Sequence, residues 1–266
     1  MRLKENIAIV TGGGGGIGTG IAACLAREGA DIVIADVRLE AAQETVRQIE
    51  AVGRRGLAVV SDVTDESACR DLIAASIAAF GHIDIVVNNA GHFGGSLGGP
   101  VLAHANSEWE EQFGMHVMAP LSLCRAVSDH MVERKRGKII NISSIAARRD
   151  PVFVPAYAAA KNALLSVTRL LAKDLGPHNV NVNAICPGML WTGFWHEMAA
   201  ELATSDPVYA GMKPREIFEK FVQGAIPMQR EQSPEDIGNL VAFLSSEEAR
   251  NISGQTICVD GGAAMG

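Results

Sequence analysis

Short apolar runs that break off at a polar residue, separated by stretches of helical spacing, constrain this chain most. Ile7 to Val10 runs into Thr11-Gly-Gly-Gly-Gly-Gly-Ile-Gly18, and Ile17, Ile21, Cys24 and Leu25 then follow as one helix stripe. Asp31 to Ala35 ends in Asp36, and Leu39 to Val52 has amphipathic helical spacing. Leu57 to Val60 ends in Ser61-Asp62-Val63, and Glu66 to Phe80 carries Leu72, Ile73, Ile77 and Phe80 on one face. Ile83 to Val87 ends in Asn88-Asn89-Ala90-Gly91. Strand–helix alternation of this kind predicts an α/β fold, with a parallel sheet and right-handed crossovers. Ligands of such sheets gather at the carboxyl ends of the strands. Asp36, Asp62 and Asn88 all fall at such ends.

The second half continues the pattern. A glycine-rich loop, 92–106, precedes Ser107 and Glu110, which read as a capping box opening a helix to about Arg134. Pro120 should kink or break that helix, because it lacks an N–H and its ring crowds the preceding turn. Lys138 to Ser143 is a fifth strand, a helix around Tyr157 stops near Gly176-Pro177, and Val180 to Ile185 is a sixth strand. Between Gly193 and Gly224 two short helical stretches scatter aromatics among charges. This segment is too long for an idle loop and suits a lid over a substrate, contacts with another subunit, or plain packing. Ser233-Pro234 starts a helix, and Gln255 to Val259 is a last strand ending in Asp260-Gly-Gly.

The glycine run has a physical use where it stands. Glycines allow a tight turn and a close approach of backbone to a pyrophosphate, and the helix N-terminus behind them offers unpaired N–H groups to that anion. Five consecutive glycines also suit a flexible surface turn, but the strand and helix on either side favour the phosphate site. An acidic residue about 20 positions further on can hold the adenosine ribose, and its charge repels a 2′-phosphate. Asp36 therefore favours NAD over NADP, although Arg38 is close enough to oppose it.

Tyr157 and Lys161 are spaced i, i+4, so phenol and ammonium share a helix face, and Ser144 follows the fifth strand. A free tyrosine, with a pKa of about 10, is a poor base at neutral pH. A neighbouring ammonium favours the phenolate, so Lys161 should lower the pKa of Tyr157. Ser144 can hydrogen-bond a carbonyl or alcohol oxygen. A bare Y-x-x-x-K also fits any amphipathic helix, so the trio depends on its context.

Composition excludes several alternatives. The 266 residues are 48% hydrophobic, enough for a substantial core, and the net charge of −7 argues against nucleic acid and anionic membrane surfaces. The five cysteines are scattered without C-x-x-C spacing, so neither a metal site nor a disulfide framework is expected. No secretion leader or membrane span is legible, and a cytoplasmic protein is expected.

Taken together, TGGGGGIG (11–18), Asp36, Asp62-Val63, NNAG (88–91), Ser144, YAAAK (157–161), PGMLWT (187–192) and VDGG (259–262) resemble the classical short-chain dehydrogenase/reductase family over nearly the full length. The resemblance implies one Rossmann-type domain over 1–266. Its doubly wound parallel sheet would have about seven strands and helices on both faces. It implies a substrate lid at about 189–224. Tyr157 would be the general acid/base, Lys161 would bind the nicotinamide ribose, and Ser144 would hold the substrate oxygen. Gly12, Gly16, Ile17 and Gly18 would meet the pyrophosphate, Asp36 the ribose, and Asp62 and Val63 the adenine. Asn88, Ala90 and Gly91 would border the cofactor, with Pro187, Gly188, Thr192 and Ile185 at the nicotinamide end. The helices 107–134 and 157–175 and the C-terminal strand would assemble a homotetramer.

Where the family carries a catalytic asparagine, this chain has His116, seven residues after Trp109. Histidine can hold a water and can carry a proton near neutral pH, so it is expected as a functional replacement. The implied reaction is hydride transfer between NAD and a secondary alcohol or ketone. The expected pocket is 92–100, Ser144, 148–154 and 189–224. The competing readings are a 3-oxoacyl-carrier reductase using NADPH and a cofactor-binding sensor with weakened catalysis.

Overall fold

The computed structural model describes residues 1–265 other than Ser96, Gly99 and Val152; these three, which belong to the expected pocket, and Gly266 lie outside the described residues. Among the described residues, seven strands form one parallel sheet: β1 (Ile7–Thr11), β2 (Asp31–Asp36), β3 (Gly56–Val60), β4 (Ile85–Asn88), β5 (Gly137–Ile142), β6 (Val180–Pro187) and β7 (Thr256–Val259). The order across the sheet is β3-β2-β1-β4-β5-β6-β7, so the winding direction reverses between β1 and β4. At that reversal the connections leave in opposite directions and open a crevice at the strand ends.

Period-two alternation divides the strand residues between two cores. Ala8, Val10, Ile32, Ile34, Ile85 and Val87 face one side, where α1 (Gly16–Arg27), α2 (Leu39–Ala51) and α10 (Pro234–Leu244) supply Ile21, Leu25, Ile49, Ile237 and Val241. Ile9, Val33, Val86 and Ile139 face the other, against Leu72, Leu123, Val127 and Met131 of α3 (Glu66–Phe80) and α5 (Ala119–Arg134). Strands buried on both faces explain the continuous apolar runs in the sequence. Ser233 caps α10 as expected, its hydroxyl accepting from the Asp236 N–H at 3.2 Å.

The expected capping box at Ser107 does not form. The preceding helix, α4, runs from Asn106 to Phe113, and its cap is Ala105, whose carbonyl accepts from the Glu108 N–H. Ser107 already lies inside the first turn, so its hydroxyl cannot take the capping position. The break expected at Pro120 is present as a wide π-turn over Gly114–Met118 between α4 and α5. Pro120 has no N–H to give the carbonyl four residues back, that of His116, and its ring would crowd that carbonyl in a regular helix.

Beyond β6, α8 (Gly193–Ser205) and α9 (Pro214–Ala225) pack on each other outside the sheet. Their aromatics form a separate small core of Trp195, Met198, Phe218 and Val222 with Met189 and Ile226. No described helix is long and apolar enough to cross a membrane.

Candidate active site

The glycine turn leaves β1 with positive φ at Gly12 (59°) and Gly16 (54°), a conformation that L side chains rarely adopt. Thr11 and Asn89 stitch this turn to the end of β4. The Thr11 hydroxyl donates to the Val87 carbonyl (3.2 Å) and accepts from the N–H groups of Asn89 and Ala90 (3.0 Å each). The Asn89 amide donates back to the carbonyls of Thr11 (2.9 Å) and Gly12 (3.1 Å).

The space above the turn is open. A Cβ at Gly15 or Gly16 would meet nothing nearer than Arg38 Nη2 at 3.6 Å or Thr192 Cγ2 at 3.7 Å. No side chain caps the start of α1, and no acidic residue sits in its first turn. Unpaired N–H groups facing an open cradle fit a pyrophosphate. Asp36 ends β2 beside this cradle, almost buried, accepting from the Gly14 N–H (3.0 Å) and the Arg38 N–H (3.0 Å). The Arg38 guanidinium reaches the same carboxylate at 3.5 Å.

A continuous cleft of about 1000 Å³ runs along the strand ends from Asp36 to α8. Gly12, Gly16, Ile17, Asp36, Asp62, Val63, Ala90, Gly91, Pro187, Gly188 and Thr192 all line it, as do Ser144, Tyr157, Lys161 and His116. Three expected positions do not. The Asn88 side chain turns away and donates to Asn141 Oδ1 (2.8 Å), which continues through Thr168 to the Leu164 carbonyl. Its neighbour Asn89 lines the cleft instead, because successive residues of a strand face opposite sides. Gly18 sits behind the turn, where a Cβ would strike Asn89 Nδ2 at 2.8 Å, so it serves close packing. Ile185 is fully buried in the sheet core, and Met189 and Leu190 line the cleft near Thr192.

Ser144 follows β5 just before the short α6 (Ala146–Arg149), and the backbone beyond that strand stays tied to β6 through Ile145 N–H to the Pro187 carbonyl (3.0 Å). The α7 helix (Pro155–Leu175) lies across this end, with Ala156, Ala158 and Ala160 buried beneath it. Small side chains there let the helix approach closely, which brings the Tyr157 phenol to hydrogen-bond Ser144. Lys161 lies one turn on, its ammonium 5.7 Å from the Tyr157 ring centre.

The electrostatics correct two sequence expectations. Burial pushes the Tyr157 phenol up to about 12, against the opposing effect of the Ser144 hydrogen bond. Lys161 does not reverse this: it donates to the Ile142 carbonyl at 2.9 Å, and burial brings its own pKa down to about 8. His116 was expected to be able to carry a proton. Burial first, and then the Lys161 charge, hold its pKa well below the usual value, so it is neutral at pH 7. Its Nε2 lies 2.9 Å from the His92 carbonyl; a donor there leaves Nδ1 as a buried lone pair without a partner. The ring stands edge-to-face on Tyr157 at 5.1 Å and fills the place a Gly91 side chain would need.

Sequence reasoning passed over Thr11 and Asn89 as the braces of the turn. Phe93, within the expected 92–100 pocket segment, lines the cleft and packs edge-on against Phe194 at 5.6 Å. The NNAG run contained the signal for Asn89.

Comparison with known proteins agrees with this geometry. A family model described as enoyl-(acyl carrier protein) reductase matches residues 12–264. Galactitol 2-dehydrogenase of Agrobacterium fabrum is 37% identical over 266 residues, covering all of both chains. A crystal structure of NAD+-bound xylitol dehydrogenase is similar at a TM-score of 0.91 and 30% identity, covering 98% of this chain and 100% of the other. L-sorbose reductase of Gluconobacter frateurii, complexed with NADPH and L-sorbose, is similar at a TM-score of 0.90 and 32% identity over the full length of both. The chain belongs to the short-chain dehydrogenase/reductase family and is an oxidoreductase.

Proposed function

We propose that this chain interconverts a secondary alcohol and its ketone with NAD as the preferred cofactor, using Tyr157 as general acid/base. The observation that carries the reading is the meeting of Ser144, Tyr157 and Lys161 at the sheet end that also bears the glycine cradle. The bound nicotinamide supplies the acceptor, or the donor, for the hydride on the carbinol carbon. Ser144 orients the substrate oxygen by a hydrogen bond. In reduction the Tyr157 phenol gives its proton to the carbonyl oxygen as the carbon gains the hydride. In oxidation the phenolate takes the hydroxyl proton as the hydride departs. A phenol held near 12 is fully protonated at neutral pH, so the oxidative rate should climb with pH while reduction has its proton ready. Lys161 keeps a positive charge near that oxygen and fits the nicotinamide ribose. His116, neutral and packed on Tyr157, acts as a positioning residue for the phenol and for the loop through His92.

The preference for NAD is supported by Asp36, whose buried carboxylate stands beside the cradle and would repel a 2′-phosphate. Arg38 supports the opposite reading, since its guanidinium lies close to Gly15 and is more than half exposed. Fluorescence titration with NADH and NADPH decides between them. Binding of NADH at least tenfold tighter is expected. Equal or tighter NADPH binding would overturn the assignment and favour reduction of a 3-oxoacyl substrate.

The segment 189–224 serves as the substrate lid in this reading, supported by its own aromatic core beside the cleft. A homotetramer through α4, α5 and α7 is supported by the apolar Leu170 and Met118, exposed on α7 and just before α5. Light scattering on the purified protein tests it. A cytoplasmic location is supported by the free thiols of all five cysteines.

A further inference from the structure

The chemistry at Tyr157 leaves open what the carbinol carbon carries on either side, and the side chains around the phenol narrow it. Phe194 lies against Tyr157 with ring centres 5.6 Å apart, and Phe93 meets Phe194 edge-on at the same distance. Met115, Phe153, Met198 and Phe221 also line this end of the cleft. These residues come from three different parts of the chain: the loop and π-turn around 91–118, the turn before α7, and the α8–α9 pair. Their convergence on one space makes an apolar chamber next to the proton-transfer group.

Among the described residues the polar groups of the same region are engaged or peripheral, apart from the buried His116 Nδ1 lone pair. His116 Nε2 faces the His92 carbonyl, and His92 itself pairs with Glu111 at 2.8 Å. Arg149 and Glu197 line the cleft but are exposed, which puts them at its rim. Ser144 and Tyr157 are taken by the reacting oxygen. Among the described residues one further hydroxyl of an open-chain polyol could donate to His116 Nδ1; the others would enter the chamber without a side-chain partner, and a buried unpaired hydroxyl weakens binding roughly tenfold. A ring or branched hydrocarbon instead gains by leaving water, and it can stack on or stand against Phe194.

On the reading that the chain is an alcohol dehydrogenase of the Tyr157 type, we infer that its substrate is a secondary alcohol, or the matching ketone, bearing an apolar ring next to the carbinol carbon. The hydride and proton leave or arrive as set out above, and the ring occupies the Phe93–Phe194 side. This separates the chain from the relatives named for galactitol, xylitol and sorbose, whatever they share with it in fold.

The test compares 1-phenylethanol with galactitol as substrates of the full-length protein with NAD+, and acetophenone with sorbose in the reverse direction with NADH. The expected result is a kcat/KM for 1-phenylethanol about a hundredfold above that for galactitol. Replacement Phe194→Ser should cut that ratio by about tenfold, the worth of lost apolar contact in a pocket. Galactitol turned over as well as or better than 1-phenylethanol overturns the inference and leaves the dehydrogenase reading standing. A ratio unmoved by Phe194→Ser removes the Phe93–Phe194 wall from the explanation and overturns it too. Turnover of no alcohol or ketone, with NADH still bound, overturns the dehydrogenase reading and the substrate class with it.

Discussion

The two ends of the cleft are built from different materials. At the cofactor end, positions are held by backbone: Thr11 and Asn89 exchange hydrogen bonds with the glycine turn, Thr45 donates to the Gly13 carbonyl at 2.8 Å, and Asp36 accepts from the Gly14 N–H. At the substrate end, positions are held by volume. Trp195 meets Phe218 and Phe221 at 5.1 and 5.3 Å, and Trp191 lies against His196 at 4.1 Å. Arg215 lies over Trp191 at 5.2 Å and anchors on Glu231 with two bonds of 2.9 Å. Hydrogen bonds prescribe a geometry atom by atom, whereas packed rings tolerate exchange if the total volume is kept. A scaffold divided in this way can keep one cofactor and change its substrate.

The largest effect should come from the group at the seam. Tyr157→Phe removes the transferable proton, and turnover should fall about 10²- to 10⁴-fold while NADH binding persists. Steady-state rates with a fluorescence titration check both halves; loss of NADH binding would show that the two ends are not separable there. The next largest belongs to the substrate end. Phe218 is fully buried in the small aromatic core, and Phe218→Ala should cost about 3–5 kcal/mol, read from urea unfolding. NADH affinity changing as much as stability would break the proposed independence.

A smaller effect is expected at the other end. Asp36→Asn removes the like charge facing a 2′-phosphate and should raise the kcat/KM ratio of NADP+ to NAD+ about ten- to a hundredfold. An unchanged ratio would shift the preference to Arg38. The smallest concerns His116. Its folded pKa is depressed, so the unfolded chain binds a proton below about pH 6.5 that the folded chain refuses. Stability is therefore full above that pH and is lost on acidification. His116→Asn should show a shallower loss, by up to about 1.4 kcal/mol per pH unit. Melting temperatures between pH 7 and 5 read this out; identical slopes would mean that His116 is solvated.

The same division explains what could be read in advance. Strand boundaries, the glycine turn and Asp36 were legible because each depends on a local rule: alternation, backbone conformation, a charge at a strand end. Asn88 was taken for its neighbour Asn89 because a one-residue difference reverses the face, and composition at the strand end is identical for both. The pKa directions of Tyr157, Lys161 and His116 were not legible, since they arise from burial by residues far apart in the chain. Ser107 carried the local sign of a cap, yet the helix began at Asn106. The aromatics of 193–224 were visible as residues, but which space they fill depends on how α8 and α9 fold over the sheet.

The π-turn before Pro120 bears on how this chain can change in length. Each residue advances a helix by about 100°. Deleting one residue within Gly114–Met118 would take away the wide turn's surplus residue while Pro120 still bars a regular ladder, so the phase between α4 and α5 would be lost. Either Leu123, Val127 and Met131 would rotate off the sheet, or Gln112 would rotate off the loop at Gly94. Surface loops absorb such deletions at small cost. Here the surplus residue is what lets one continuous rod present two differently aimed faces, so inheritance of this fold would tolerate many substitutions along 106–134 and few changes in its count.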